Sequence, residues 1–400
     1  MNACFICASS ELKRLLDCGP QPISNRFLKS PDEPERLYPM TIWQCGVCGM
    51  VQLRNPVPAG ELRPRVEWIT YTEPEGHLDA LADILSRLPQ LNHDAIIGGV
   101  SFKDDSTLAR MQRKGFKQTW RLHPKTDLNI EDRGIGVETI QDRLTHSAAE
   151  CVAQRRGLSD LLIVRHILEH AHEPLRFLKA LMRLVRPGGC LVFEAPDCSR
   201  ALDRCDYTTL WEEHVLYFTP ETFRQSFARA GLSPVRFECY PYPFENSLVG
   251  IVQHETPPPP TSPVESVLKA ERARAERFAR ELPVRRDRLK KFFTDYKLKN
   301  GPVAIFGAGH LACTFVHLME LGDFIDFVID DNSHKQGLFM PGSRLPIRGS
   351  AALLERGVKL CLLSVNPEAE EKVIRKHALF VERGGTFASI FPASRHALNI

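Results

Sequence analysis

The chain has 400 residues, 43% apolar and 25% charged, the profile of an ordinary globular protein too long for a single core. Its formal charge of +3 is small and spread along the sequence, with no basic run or basic-aromatic stripe, which argues against a nucleic-acid partner. No apolar run approaches the roughly 20 residues that span a bilayer, and Met1-Asn2-Ala3-Cys4 does not begin a secretory signal, so a cytoplasmic protein with reduced cysteines is expected.

Five of the twelve cysteines fall in the first 48 residues, and four of these form two C-x-x-C pairs, Cys4/Cys7 and Cys45/Cys48. Two intervening residues let both thiolates grip one metal ion from a tight knuckle, and two knuckles close a tetrahedral four-thiolate zinc site. No acid or histidine sits in either knuckle, so the expected zinc is structural. A redox pair or disulfide is the alternative; a reducing compartment disfavours both. Cys18 and the other cysteines read as core or surface residues. Residues 1–65 are expected to form this module.

Pro56, Pro58 and Pro64 mark extended connections out of it. Tyr71 follows, either a phenol that donates to a substrate or a packing tyrosine. From His77 the apolar residues Leu78, Leu81, Ile84, Leu85 and Leu88 share one face of a helix. The β-rich run Asp94–Val100 leads through Ser101-Phe102-Lys103-Asp104-Asp105 into a helix from Thr107 to Lys114. Strand, loop, helix is where an open α/β sheet builds its cofactor crevice, which makes Gly98, Gly99 and Asp105 candidates. A strand at Trp120–Leu122 is followed by a second at Asp160–Val164, read as a buried parallel strand, that runs into Arg165-His166-Ile167-Leu168-Glu169-His170. His166 and His170 are either capping residues or members of the crevice. Pro174 opens a helix, Pro187-Gly188-Gly189 is expected to stop it, and Cys190–Glu194 is another strand.

Trp211-Glu212-Glu213-His214-Val215-Leu216-Tyr217-Phe218 sets a carboxylate beside an imidazole among aromatics. Removing a proton from carbon needs a base that titrates near neutrality and a partner that orients it; the alternative is a strand cap followed by core aromatics. Two more strands are expected between Gly231 and His254, joined by the loop Tyr240–Ser247, whose Glu245 and Asn246 either line a pocket or form an exposed turn. Thr256–Thr261 is a polyproline linker, and a charged helix from Val264 to Tyr296 is expected to be solvated and to bridge domains. From Val303 an α/β pattern restarts. Gly307-Ala308-Gly309-His310-Leu311-Ala312 fits G-x-G-x-x-A with Asp330 about 20 residues later, which alone suggests a dinucleotide such as NAD.

Ile167-Leu168-Glu169-His170, the Arg186-Pro187-Gly188-Gly189 turn and the strand into Glu194-Ala195-Pro196-Asp197 resemble the back half of a class I S-adenosylmethionine-dependent methyltransferase. With the cysteine knuckles in front and Glu213–Phe218 behind, the chain resembles the nucleotide-sugar C-methyltransferases of deoxysugar biosynthesis over almost its whole length. The resemblance implies an α/β protein of four parts: a zinc-binding domain (1–65), a Rossmann-like methyltransferase domain (66–255), a linker and helix (256–300), and a Rossmann-like C-terminal domain (301–400). It implies S-adenosylmethionine and structural zinc as cofactors and a nucleotide-linked keto-sugar as substrate, in a monomer or homodimer. It makes His214 the base, with Glu213 its partner or a sugar ligand, and Tyr71 a group that stabilises the enolate or positions the sugar. Gly98, Gly99, Asp105, His123, Arg165 and His166 fall where the methyl donor binds. Tyr217, Glu245, Asn246, Gly307, Gly309, Asp330 and Lys335 fall toward the sugar nucleotide. The chain departs from the pattern at Trp211, where relatives often have Tyr or His, and in two places of the expected cofactor site. The usual acid-x-Gly-x-Gly loop reads Gly98-Gly99-Val100-Ser101, and the ribose-binding acid is replaced by Leu122-His123-Pro124. Those departures leave open a protein that only binds a sugar nucleotide; the C-terminal fingerprint leaves open an NAD-dependent sugar oxidoreductase.

Overall fold

A computed structural model describes residues 3–66, 73–131, 134–254 and 264–400. They form two compact units. The first takes Met1–Arg14, Ile42–Ser199 and Glu213–Arg272; the second takes Leu15–Thr41, Arg200–Glu212 and Ala273–Ile400.

The first unit is built on a six-stranded sheet. Its order is Thr119–Arg121, Ile97–Gly99, Ser159–Arg165, Val185–Asp197, Asn246–Gln253, Ser233–Tyr240. The first four strands are parallel; the last two pair antiparallel. Every residue of Ser159–Arg165 is buried, as its unbroken Leu-Leu-Ile-Val run requires of a central parallel strand covered on both faces. From Ile97–Gly99 the chain moves outward to Thr119–Arg121, then crosses back to Ser159–Arg165. This reversal opens a crevice beyond the carboxyl ends of those strands, the place where such sheets receive ligands. A smaller strand, Val51–Leu53, pairs on one side with Tyr38–Cys45 and on the other with Leu216–Tyr217.

The second unit carries a five-stranded parallel sheet ordered Ile347–Arg348, Phe327–Ile329, Val303–Phe306, Leu360–Leu363, Thr386–Ser389. It has the same switch in strand order, next to Val303–Phe306.

Two expectations change. Pro187-Gly188-Gly189 is not a turn between elements but lies within the strand Val185–Asp197, because the backbone at Gly188 and Gly189 exchanges hydrogen bonds with His254. The helix Glu265–Asn300 is not simply solvated: Leu268, Ala275, Phe278, Leu282, Leu289 and Phe293 are buried along one stripe. Its many charges mask a three-to-four-residue apolar spacing. The polyproline segment 256–261 and Tyr71 lie outside the described residues.

Candidate active site

The four knuckle cysteines meet in the first unit. Their sulfurs all lie within 4.8 Å of one another, with Cys4 Sγ to Cys48 Sγ at 3.6 Å and Cys7 Sγ to Cys45 Sγ at 3.5 Å. Those spacings are close to the edge of a tetrahedron with zinc–sulfur bonds of about 2.3 Å. Ile6 N and Val47 N each donate to the first sulfur of their knuckle at 3.4 Å, which orients the thiolates. Hydrogen bonds among the four pull Cys7 and Cys45 below the usual thiol range and push Cys4 and Cys48 above it. Four such thiols ionise together only around a cation, so the donor set fits zinc.

The crevice of the six-stranded sheet is filled with paired charges. Glu194, 1% exposed within the strand Val185–Asp197, accepts from Arg165 Nε, from Ser247 Oγ at 2.6 Å and from His166 Nε2 at 3.1 Å, and lies 3.2 Å from His77 Nε2. Burial pushes its carboxyl up, but His166 and Arg165 hold it well below the ordinary carboxylate range. His166 has a left-handed backbone (φ 47°) that turns its ring into this set. Burial works against its positive charge, yet Glu73 and Glu194 raise its pKa to about 10. Glu73 in turn is held down to about 2: burial raises it, and His166 and Lys103 more than offset that. Glu245 faces the same charges, and burial, then Glu73, lift it to about 8.

Each residue expected to hold the methyl donor has a definite place here. Gly98 and Gly99 lie in the central sheet, where a Cβ on Gly98 would come within 2.8 Å of Ser159 Oγ and Trp120, and one on Gly99 within 2.9 Å of Leu108. Their glycine character is demanded by packing. Asp104 accepts from the backbone N of Val100, Ser101 and Arg165, so the loop closes on its own carboxylate. Asp105 pairs with Arg121 at 2.8 Å, and His123 caps the helix Pro124–Leu128 by accepting from Thr126 N. Among the described residues, neither Asp105 nor His123 therefore stands as an unpaired acid for a ribose diol. At the aminoacyl end Arg165, 2% exposed, gives Nε to Glu194 and Nη1 to Lys103 O and Ser106 Oγ, and keeps Nη2 buried with no partner among the described residues.

Beside this crevice stands His214. It is half-buried, and around it Glu138, Glu169, His170 and Glu213 are 1–5% exposed. The ring of His170 meets that of His214 edge-on at 4.8 Å, and His170 Nδ1 lies 2.9 Å from Glu138 Oε1. Backbone pairing fixes the arrangement: Glu169 O accepts from Val215 N at 2.7 Å and from Leu216 N at 3.0 Å. Tyr217 is fully buried behind His214, its ring 6.5 Å away. Asn246 donates to Asp197 at 3.1 Å. Sequence reasoning missed Glu73, His77, Glu138, Glu169 and Glu194 as members of the site. Of these only Glu169 and Glu194 carried a signal, each inside a stretch that carries the resemblance to a methyltransferase.

In the second unit Gly307 has φ 107° and approaches Ser364 O, while Gly309 is open. Asp330 accepts from Ala308 N at 2.9 Å, from Asn332 N at 2.8 Å and from Lys335 Nζ at 3.0 Å, so its carboxylate is spent on its own loop. Trp211 stacks on His310 at 4.4 Å and donates to Ser24 Oγ.

Three family models follow one another along the chain: a zinc binding domain at residues 4–62, a methyltransferase domain at 72–236 and a C-methyltransferase C-terminal domain at 246–392. The C-methyltransferase NovU of Streptomyces niveus is 24% identical over 99% of this chain and 96% of its own. Among solved structures, the 1,6-didemethyltoxoflavin-N1-methyltransferase of Burkholderia thailandensis, bound to S-adenosylhomocysteine, is 14% identical at a TM-score of 0.31. That likeness covers 45% of this chain and 79% of that one. A SAM-dependent methyltransferase of Anabaena variabilis is 14% identical at a TM-score of 0.32, over 45% and 86%. Together the three models account for most of the chain, in the order zinc binding domain, methyltransferase domain, C-methyltransferase C-terminal domain. The chain is an S-adenosylmethionine-dependent enzyme with a zinc-binding module, which replaces the oxidoreductase and purely binding readings. No helix among the described residues is long and apolar enough to cross a membrane.

Proposed function

We propose that the enzyme methylates the carbon next to the carbonyl of a nucleotide-linked keto-deoxysugar, with His214 as the base. A carbon attacks a methyl group only as a carbanion, and a neighbouring carbonyl makes that carbanion accessible as an enolate. The observation that carries the reading is the half-buried His214 imidazole standing over four buried acid and imidazole side chains. His214 takes the α-proton, and the electron pair moves onto the carbonyl oxygen, where a positive His170 beside it favours the negative charge. S-adenosylmethionine supplies the electrophilic methyl group, and Arg165 would hold its carboxylate. Tyr71 is assigned to the enolate oxygen, with Glu245 and Asn246 at the sugar. Gly307, Gly309 and Lys335 are assigned to the nucleotide, Lys335 as the cation and the open Gly309 as the place of closest backbone approach, with Asp330 bracing that loop in place of meeting the ribose.

The test is NMR of a nucleotide-linked 4-keto-6-deoxy sugar in D2O without methyl donor. Wild-type enzyme should exchange the α-hydrogen, and His214→Ala should slow exchange about 10²–10⁴-fold, the usual reach of a general base. Exchange that persists unchanged in His214→Ala removes this histidine from the chemistry.

A further inference from the structure

Glu138, on the helix Val137–Arg143, is a buried carboxylate that the proton abstraction above does not use. Its Oε1 is 2.9 Å from His170 Nδ1, and a carboxylate oxygen of Glu213 lies within 4.8 Å of both groups. Two carboxyl groups held so close favour sharing one proton over carrying two charges. Glu138 is paired with the imidazole, which favours its ionised form and leaves the proton to Glu213. We propose that Glu138 is a positioning residue: it fixes His170 as an imidazolium and Glu213 as a neutral acid, so that two proton donors stand beside the His214 base.

This inference rests on the proposed enolisation for its purpose, but not for its geometry. The charged groups facing His170 come from several elements. Glu169 on its own segment favours the imidazolium, Lys103 from the loop after Ile97–Gly99 opposes it, and burial opposes it most; Glu138 more than offsets that burial. His166, His172 and His214 complete the surroundings. Glu138 is correspondingly held below the ordinary carboxylate range: burial raises it, and His170 then outweighs burial. The consequence for the reaction is specific. When the α C–H bond breaks, the proton passes to His214 and the electron pair to the carbonyl oxygen. An imidazolium at His170 and an acid proton at Glu213 are then in place to meet that oxygen, with no redox step. Glu213 in this arrangement is a donor, not the carboxylate that orients the imidazole of His214.

The experiment is histidine side-chain NMR of the full-length zinc-loaded protein, with no substrate or methyl donor, on wild type and Glu138→Gln. Wild-type His170 should titrate above the ordinary histidine range; in Glu138→Gln its titration should fall by at least about one pH unit. If wild-type His170 titrates at or below the ordinary histidine value, the proposal is overturned whether or not the variant folds. In the exchange assay Glu138→Gln should lower kcat about 10²-fold with KM within about twofold, and Glu138→Asp should restore part of it. An unchanged His170 titration in a folded Glu138→Gln overturns the idea. So does metal analysis showing a second ion per chain that Glu138→Gln abolishes, since Glu138, His170 and Glu213 would then hold a metal in place of the proton. The NMR arm reads the ion pair directly, so absence of enolisation in wild type would sink the proposed reaction and leave this measurement standing.

Discussion

Removing zinc should disable the His214 stretch from a distance, through the strand Val51–Leu53. That strand follows the second knuckle directly, pairs Val51 with Tyr217 and Gln52 with Leu216, and donates from Leu53 N to Val215 O at 2.9 Å. The buried Gln52 accepts from Phe5 N in the first knuckle at 3.0 Å, which ties both knuckles to the same strand. Phe5, Ile6 and Met50 are the large apolar side chains buried at the knuckles. At about 1.5–3 kcal/mol each they contribute at most ~9 kcal/mol, before an ordering cost of about 1–2 kcal/mol per residue. A structural zinc contributes about 10–16 kcal/mol to such modules. The metal therefore stabilises the knuckles more than their apolar contacts do, and Cys45→Ser should release it and open them locally. Hydrogen exchange read by mass spectrometry should then show amide protection at Val51–Leu53 and at Val215–Tyr217 falling together, by about 100-fold or more. The strands Ser159–Arg165 and Val303–Phe306 should keep theirs. Zinc content by metal analysis is the control, one ion in wild type and none in the variant. A zinc-free Cys45→Ser protein with unchanged protection at Val215–Tyr217 would refute the coupling.

Gly98→Val should destabilise the first unit by about 1–3 kcal/mol through overpacking against Ser159, Trp120 and Leu162. The thermal midpoint should drop measurably, with S-adenosylhomocysteine affinity by calorimetry falling alongside; an unchanged midpoint would show that the strand has room the packing does not provide. The crevice charges also predict a pH profile. His166 has a folded pKa of about 10, above its ordinary 6.5, so its stabilisation is complete below pH 6.5 and is lost as pH rises through 10. Glu73, at about 2 against an ordinary 4.5, stabilises above pH 4.5 and loses that contribution as pH falls through 2. Thermal midpoints at constant salt should decline from pH 6.5 toward 10 in wild type and decline less in His166→Gln; equal slopes would remove His166 from the balance.

How much of this was legible in the sequence depended on whether a feature is local. The knuckle cysteines could be read because two residues between thiols fix a geometry wherever the rest of the chain goes. The strand Ser159–Arg165 and the helix from Pro174 could be read because periodicity and a helix-opening proline act over a few residues. The buried stripe of Glu265–Asn300 was hidden by its charges, and the Pro187-Gly188-Gly189 strand by turn-forming residues that a partner strand overrides. The site divides in the same way. Glu213 and His214 stand out as neighbours, but the groups around them come from residues 138, 169 and 170, brought in by a sheet crossover and a helix no short window contains. Asp330 shows the converse. Its spacing from Gly307 announces a ribose-binding acid, yet Lys335 and Ala308 occupy it. A fingerprint specifies where a carboxylate stands; only its neighbours decide whether it is free to meet a ligand. The same holds at His214, where the acid written next to it in the sequence lies within 4.8 Å of Glu138 and His170, neighbours that no motif records.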